Sequence, residues 1–162
     1  MQTLIPIATE LGLHLKRRRE TVAVAESSAG GLIAAALLSV PGASAYFLGG
    51  AVVYTREARR ALMGITDDQM RGLRSSSEPY ATLLAATIRD RHGATWGLAE
   101  TGATGPTGNR YGDAAGHACI AIAGPLSSVQ TLETASADRE ANMRVFARTA
   151  LEALLTAVRA AP

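Results

Sequence analysis

The chain has 162 residues and a formal charge of +2, with 48% hydrophobic and 19% charged residues. These proportions exclude a disordered or coiled-coil chain and predict one packed domain over 1–162. Aromatic residues make up only 4% of the chain, and its basic run, 16–19, falls at the end of a predicted helix, so we predict no nucleic-acid partner. The single Cys119 excludes an intrachain disulfide and, within an apolar run, indicates a buried thiol and a cytoplasmic location.

The first part of the chain alternates between helical and strand patterns. Apolar residues at helical spacing predict an amphipathic helix over 3–19. Short apolar segments and turn residues then predict a buried strand at 21–25, a helix at 32–39 and a second buried strand at 47–54.

The second part of the chain carries three cap signals. Thr66 and Gln69 have the spacing of a capping box for a short helix, Ser77 precedes a helix that runs to about His92, and Asp138 begins the final helix. Three more strands are predicted at 96–100, 117–123 and 128–135, the last two as a hairpin. The order predicts an α/β fold, a three-layer α/β/α sandwich with a mostly parallel mixed sheet and one antiparallel hairpin.

The stretch between Glu26 and Arg56 contains no charge and is long enough to raise the question of a membrane span. Glycine pairs and Pro41 interrupt it, and its pattern changes from helical to strand-like, so we predict a buried helix and strand instead. The N-terminus lacks the order of charge, apolar core and cleavage site of a signal peptide. We predict no membrane contact.

The turn "ESSAGG" lies between a predicted strand and a predicted helix. Its ligand-binding candidates are Ser27, Gly30 and Gly31, because the amides of a helix N-terminus can hold an anion such as a phosphate. The alternative is structural: the glycines permit close packing of strand and helix, and Ser27 or Ser28 caps the helix.

Five glycines lie in the segment 101–116, which favours a backbone-lined ligand surface that includes Gly102 and Gly105. The segment lacks the lysine of a Walker loop and the spacing of a dinucleotide-binding fingerprint. The three histidines have no partner at metal-ligand spacing, so we predict no metal and no cofactor.

A series of runs, in order and spacing, resembles the CinA C-terminal domain family, the nicotinamide mononucleotide deamidases. The runs are "AESSAGG", "VPGASAYFLGGAVVYTREARRALMGI", "SEPYA", "TGATGPTG" and "DR" at 138–139. In that family they read approximately ESCTGG, PGSSxxFxGGxxxYSNEAKxxxLGV, SE, TGIAGPxGG and GDR. The resemblance covers residues from about 20 to 145.

The resemblance implies the α/β/α fold, a homo-oligomer and metal-free hydrolysis of the carboxamide of nicotinamide mononucleotide to the acid and ammonia. The small-molecule substrate is then a phosphorylated pyridine nucleotide. The resemblance further implies that Ser44 is the nucleophile, that Tyr54 assists, that a lysine at the position of Arg59 is the base, and that Thr101 and Arg139 complete the site. We therefore expect these five side chains to converge in one pocket.

Arg59 breaks that pattern, because arginine stays protonated in proteins and cannot accept a proton from a serine. Lys16 is the only lysine, and it lies at the end of the first helix. Asp113 and His117 are candidate replacement bases, His117 being favoured by its near-neutral pKa, unless it is an ordinary edge-strand residue. Two functions stay open: an amidohydrolase with a displaced base, or a catalytically degenerate member that binds a pyridine nucleotide or another phosphorylated small molecule, with Arg59 as a donor.

Overall fold

The computed structural model describes all residues 1–162. The chain forms five α-helices and five strands. The helices are α1 (Ile5–Arg18), α2 (Leu32–Leu38), α3 (Arg56–Ala58), α4 (Glu78–His92) and α5 (Arg139–Ala160). The strands are β1 (Val22–Glu26), β2 (Phe47–Val52), β3 (Trp96–Ala103), β4 (His117–Ala123) and β5 (Ser128–Glu133).

The strands form one sheet in the order β2-β1-β3-β4-β5. β1 pairs in parallel with β2 and β3, while β4 pairs antiparallel with β3 and β5. The predicted mixed α/β fold and its β4–β5 hairpin are confirmed, and β4 is the one strand that runs against the other four. Because β1, β2 and β3 run together, their carboxyl ends meet at one edge of the sheet.

Helices cover both faces of this sheet. α1, α2 and α5 pack on the face that presents larger side chains such as Val24, Leu98 and Ile120. α4 packs on the other face, where alanines predominate. The approach of α4 is so close that a Cβ on Gly97 would lie 2.0 Å from the carbonyl oxygen of Ala85, so glycine is required there. None of the helices combines the length and the hydrophobicity that a membrane crossing needs.

Two of the predicted helix caps form as expected. The Ser77 hydroxyl accepts a bond from the Tyr80 amide, and the Asp138 carboxylate accepts one from the Ala141 amide at 3.0 Å. Thr66 and Gln69 also make their reciprocal bonds, but the short helix predicted after them is wrong. The segment continues as turns and ends at Gly72, which adopts a left-handed conformation.

The prediction of a buried strand over 47–54 is wrong in two respects. β2 ends at Val52, and it is the edge strand of the sheet. Successive side chains of β2 point to opposite faces of the sheet, and those on one face are exposed, so Leu48 and Val52 each keep 42% of their surface in solvent.

The segment after β2 turns back over the carboxyl edge of the sheet. Thr55 caps α3 by accepting a bond from the Ala58 amide at 3.1 Å. The chain then makes a single π-helical turn over Arg59–Met63, which buries the side chains of both its first and its last residue. This turn carries Arg59 inward, beneath the edge where the three parallel strands end.

Candidate active site

A cavity of about 390 Å³ opens at the carboxyl edge of β1, β2 and β3. We call it the main cavity. Ser27 follows β1, Tyr54 follows β2 and Thr101 lies near the end of β3, and all three line it. The Thr101 hydroxyl accepts a bond from the Ser76 amide at 3.3 Å, which fixes one wall. Three strand ends therefore bring hydroxyl groups into one polar space.

Arginines supply the charge of the main cavity. Arg56, Arg59 and Arg110 line it, and no aspartate or glutamate does. A neighbouring space of about 300 Å³, the arginine cavity, shares these three cations and contains one carboxylate, that of Asp67. Such an excess of guanidinium groups favours an anionic ligand.

Arg59 is the buried member of this group, with only 5% of its surface exposed. Its Nη2 donates to Asp67 Oδ1 at 2.9 Å, while its Nε has no hydrogen-bond partner. Arg56 and Arg60 also donate to Asp67, so that carboxylate is shared by three guanidinium groups. A buried cation with an unused donor at a cavity wall is suited to hold part of a ligand.

Arg139 stands beside the main cavity. Its Nη2 donates to the Tyr54 hydroxyl at 3.1 Å and its Nη1 to the carbonyl oxygen of Gly105 at 2.6 Å. Arg139 and Tyr54 thereby line a third space of about 220 Å³, the glycine-loop cavity, together with Gly102, Gly105 and Ser28. Tyr54 and Gly102 line both the main and the glycine-loop cavities, so the two are adjacent.

Tyr54, Arg59 and Thr101 line the main cavity together, Arg139 lines only the adjacent glycine-loop cavity, and Ser44 lines neither. Ser44 is exposed in a 3-10 turn, Ala43–Ala45, that precedes β2, whereas Tyr54 follows β2. At ~3.3 Å per residue the strand separates them by roughly 20 Å. Within a single chain, Ser44 lies at the opposite edge of the sheet from the cavities.

Gly30 and Gly31 do not line these cavities, and the amides at the start of α2 are already occupied. The buried Glu26 carboxylate accepts bonds from the amides of Ile33 at 3.1 Å and Ala34 at 2.9 Å. The expected anion site in the "ESSAGG" turn is thus filled by a side chain of the protein. Gly30 and Gly31 have φ angles of 67° and 99°, so the turn conformation itself favours glycine at both positions.

His117 and Asp113 do not fit the role of a replacement base. His117 is 6% exposed, and its ring bonds to the Glu133 carboxylate through Nδ1 and to the Ser76 carbonyl through Nε2 at 3.0 Å. Both partners accept hydrogen bonds, which favours the protonated ring, in which neither nitrogen has a free lone pair. A paired hydrogen bond from Arg74, at 2.5 and 3.0 Å, lowers the pKa of Asp113 and makes it a weak base.

The sequence interpretation did not identify Arg56 and Arg110 as cavity residues. It also did not identify Glu100 as a buried residue next to the site. Glu100 is fully buried in β3, where its carboxylate accepts bonds from the β1–α2 turn. The sequence did contain a signal for Glu100, which directly follows the apolar run "WGLA" of a predicted strand. A carboxylate in such a position is rarely buried without a specific partner.

Comparison with known proteins yields one consistent family. The family model described as CinA C-terminal domain matches residues 5–158. A CinA-like protein of Desulfosudis oleivorans is 39% identical over 152 residues, covering 93% of this chain and 37% of that protein. A CinA-like protein of Prochlorococcus marinus is 42% identical over 111 residues, covering 68% of this chain and 26% of that protein. The chain thus spans about a third of the length of the curated relatives it matches, or less.

Solved structures include relatives of similar size. A competence damage-inducible protein A of Klebsiella pneumoniae superposes with a TM-score of 0.90 at 25% identity, covering 97% of this chain and 98% of that one. A competence/damage-inducible protein of Agrobacterium tumefaciens superposes with a TM-score of 0.85 at 28% identity, covering 94% of each chain.

Proposed function

Because this chain belongs to the CinA C-terminal domain family, we propose that it is an amidohydrolase acting on nicotinamide mononucleotide. The reaction hydrolyses the carboxamide and releases the nicotinate nucleotide and ammonia. One observation carries the proposal: the main cavity is lined by three arginines and several hydroxyl groups, and by no carboxylate. That lining suits a substrate with a phosphate at one end and an uncharged amide at the other.

The phosphate belongs among the guanidinium groups. Arg56, Arg59 and Arg110 line both the main and the arginine cavities, and only Asp67 opposes them. Charge-assisted bonds from arginine to phosphate are among the stronger hydrogen bonds in proteins. Arg59 is the most buried of the three, so solvent screens its charge the least.

The amide belongs toward the glycine-loop cavity. Arg139 and the Tyr54 hydroxyl stand there as donors, and donors of this kind stabilise the negative charge that develops on a carbonyl oxygen during hydrolysis. Since Tyr54 and Gly102 line both spaces, one elongated molecule can occupy both cavities.

A second function stays open, in which the chain binds the nucleotide without hydrolysing it. Two observations favour it: Arg59 stands where the resemblance implies a lysine base, and Ser44 lies outside the cavities of its own chain. If Ser44 takes part in hydrolysis, the active form must be a homo-oligomer, because a second copy of the chain would be needed to bring the Ser44 hydroxyl to this site.

A cytoplasmic location is also proposed, since Cys119 is a free buried thiol.

The test uses the purified chain with nicotinamide mononucleotide. Ammonia release is followed by a coupled assay, and binding is followed by calorimetry. We expect both, and Arg110→Gln should weaken binding while the matched exposed Arg71→Gln, which pairs with Asp68 away from the cavities, leaves it unchanged. Binding without ammonia would establish the second function, and absence of both would reject the substrate.

A further inference from the structure

Glu100 is a buried carboxylate with a fixed orientation. Its Oε2 accepts bonds from the amides of Ser27 at 3.0 Å and Ala29 at 2.8 Å. Its Oε1 accepts the hydroxyl of Ser28, with 2.5 Å between the two oxygens. The two amides hold one oxygen of Glu100, and this directs the other oxygen to Ser28.

Ser28 lies between this carboxylate and the glycine-loop cavity. It is 5% exposed, and it lines that cavity with Tyr54 and Arg139. A serine becomes nucleophilic when a base lies within hydrogen-bond reach of its hydroxyl. Ser28 is the only serine in the chain whose hydroxyl bonds to a carboxylate, and it does so at a cavity wall.

The candidate bases other than Glu100 are each engaged or remote, and the neighbouring Ser27 lines the main cavity without a bond from its hydroxyl to a carboxylate. Arg59 cannot accept a proton, His117 uses both ring nitrogens, and Asp113 is paired with Arg74. Lys16 donates to the carbonyl of Pro41, on the side of the sheet where the chain approaches β2. Ser44 is exposed on that same side.

We propose that Ser28 is the nucleophile of this chain and that Glu100 is the base that accepts its proton. The inference rests on the proposed amidohydrolase function and names the residues that perform it. It also accounts for an arginine at position 59, because a lysine base is not required when a carboxylate already bonds the attacking hydroxyl.

The proposed reaction balances with these two residues and water. The Ser28 Oγ bonds to the amide carbon as its proton passes to Glu100 Oε1. The tetrahedral intermediate collapses when Glu100 returns that proton to the nitrogen, the C–N bond breaks, and ammonia leaves an acyl-Ser28 ester. Water then attacks the ester carbon and gives a proton to Glu100. The C–Oγ bond breaks, the acid is released, and the proton returns to Ser28 Oγ.

The environment of Glu100 supports this role. Burial raises the pKa of Glu100, and although the Ser28 hydroxyl and the two amides lower it, the net pKa stays above its ordinary value, with nearby Glu26 adding to the increase. A carboxylate with a raised pKa is a stronger base than an ordinary exposed carboxylate.

Covalent labelling tests the pair independently of the substrate. A fluorophosphonate probe should modify Ser28, as located by peptide mass spectrometry, and Ser28→Ala should remove the label. Glu100→Gln should slow labelling by about a hundredfold or more, the contribution expected of a positioned base. Ser39→Ala, at the end of α2, controls for the loss of a serine outside the cavities and should label normally.

Ammonia release separates this inference from the proposed function. Ammonia release that survives Ser28→Ala but is lost in Ser44→Ala overturns the pair and leaves the amidohydrolase function standing. Labelling of Ser28 that depends on Glu100, without ammonia release from nicotinamide mononucleotide, supports the pair and rejects the substrate. If Ser28→Ala fails to fold, Ser28→Cys keeps the nucleophile, and iodoacetamide should alkylate position 28 in preference to the buried Cys119. Absence of modification at position 28 with either reagent overturns the inference.

Discussion

Arg59→Lys is the substitution that best separates a ligand-binding role from a catalytic one. The change keeps the positive charge but replaces a planar group of five donors by a shorter ammonium. Asp67 would keep Arg56 and Arg60 as partners, so we expect the fold to tolerate the change. The guanidinium group of Arg59, which lines both the main and the arginine cavities, would disappear, and with it a donor to the phosphate.

The size of the effect follows from the lost hydrogen bond. A hydrogen bond to a charged group contributes about 1.5–3 kcal/mol. At about 1.4 kcal/mol for each factor of ten, the dissociation constant for nicotinamide mononucleotide should rise about tenfold to a hundredfold. Calorimetry measures this directly, and the kinetic counterpart is a higher KM with kcat nearly unchanged.

Arg60→Lys is the matched control, because Arg60 also bonds to Asp67 but lines neither cavity. We expect its dissociation constant to change by less than about twofold, within the small effects of surface substitutions. A kcat that rises by about a hundredfold in Arg59→Lys would refute this reasoning, since it would show that a lysine at position 59 acts as a general base.

Two further predictions concern stability. Glu26→Gln should lower the free energy of unfolding by about 1–3 kcal/mol in urea titrations. The side-chain NH2 of the glutamine would lie opposite a backbone N–H of α2 that now donates to the Glu26 carboxylate, so two donors would face each other. Burial raises the pKa of Glu26 above its ordinary value of 4.5. The stability that Glu26 contributes to the fold is therefore full below pH 4.5 and is lost as the pH rises through the folded-state pKa. Glu26→Gln should remove this pH dependence from the free energy of unfolding. Burial lowers the pKa of His117, but bonds to Glu133 and Ser76 and the charge of Asp113 outweigh it, so the net pKa lies above 6.5. The stability that His117 contributes is present below pH 6.5 and is lost at higher pH. Urea titrations at about pH 6 and about pH 8.5 give the free energy of unfolding at each pH. The difference between these two free energies should be smaller for His117→Asn than for the unmodified chain.

Local signals predicted most of the fold. The caps at Ser77 and Asp138 could be identified because a cap acts on amides only two or three residues away. The exposure of β2 could not, because an edge strand is defined by strands elsewhere in the chain. The separation of Ser44 from Tyr54 was implicit in the prediction of a strand between them, since the two ends of a strand lie on opposite edges of a sheet.

The site was harder to predict than the fold because its contacts cross between strands. Glu100 meets Ser28 only because β1 and β3 are neighbours, with Ala25 opposite Ala99. In the same way, the amides of the "ESSAGG" turn indicated an anion, and Glu26 supplies that anion from within the chain. Residue types show which kind of group a site can bind, but they do not show whether a side chain of the same protein already occupies the site.

The π-helical turn at Arg59–Met63 makes the number of residues in this segment as important as their identity. Such a turn holds more residues than the 3.6 of an α-helical turn, so the loss of a single residue between 60 and 63 would allow regular helix to form. The side chains on either side of the deletion would then change phase by about 100° relative to each other. Arg59 and Met63 could no longer both turn inward, although neither had been replaced. Chains with the same residues but a one-residue gap here would present a different cation to the cavity, and substitution experiments alone would not reveal it.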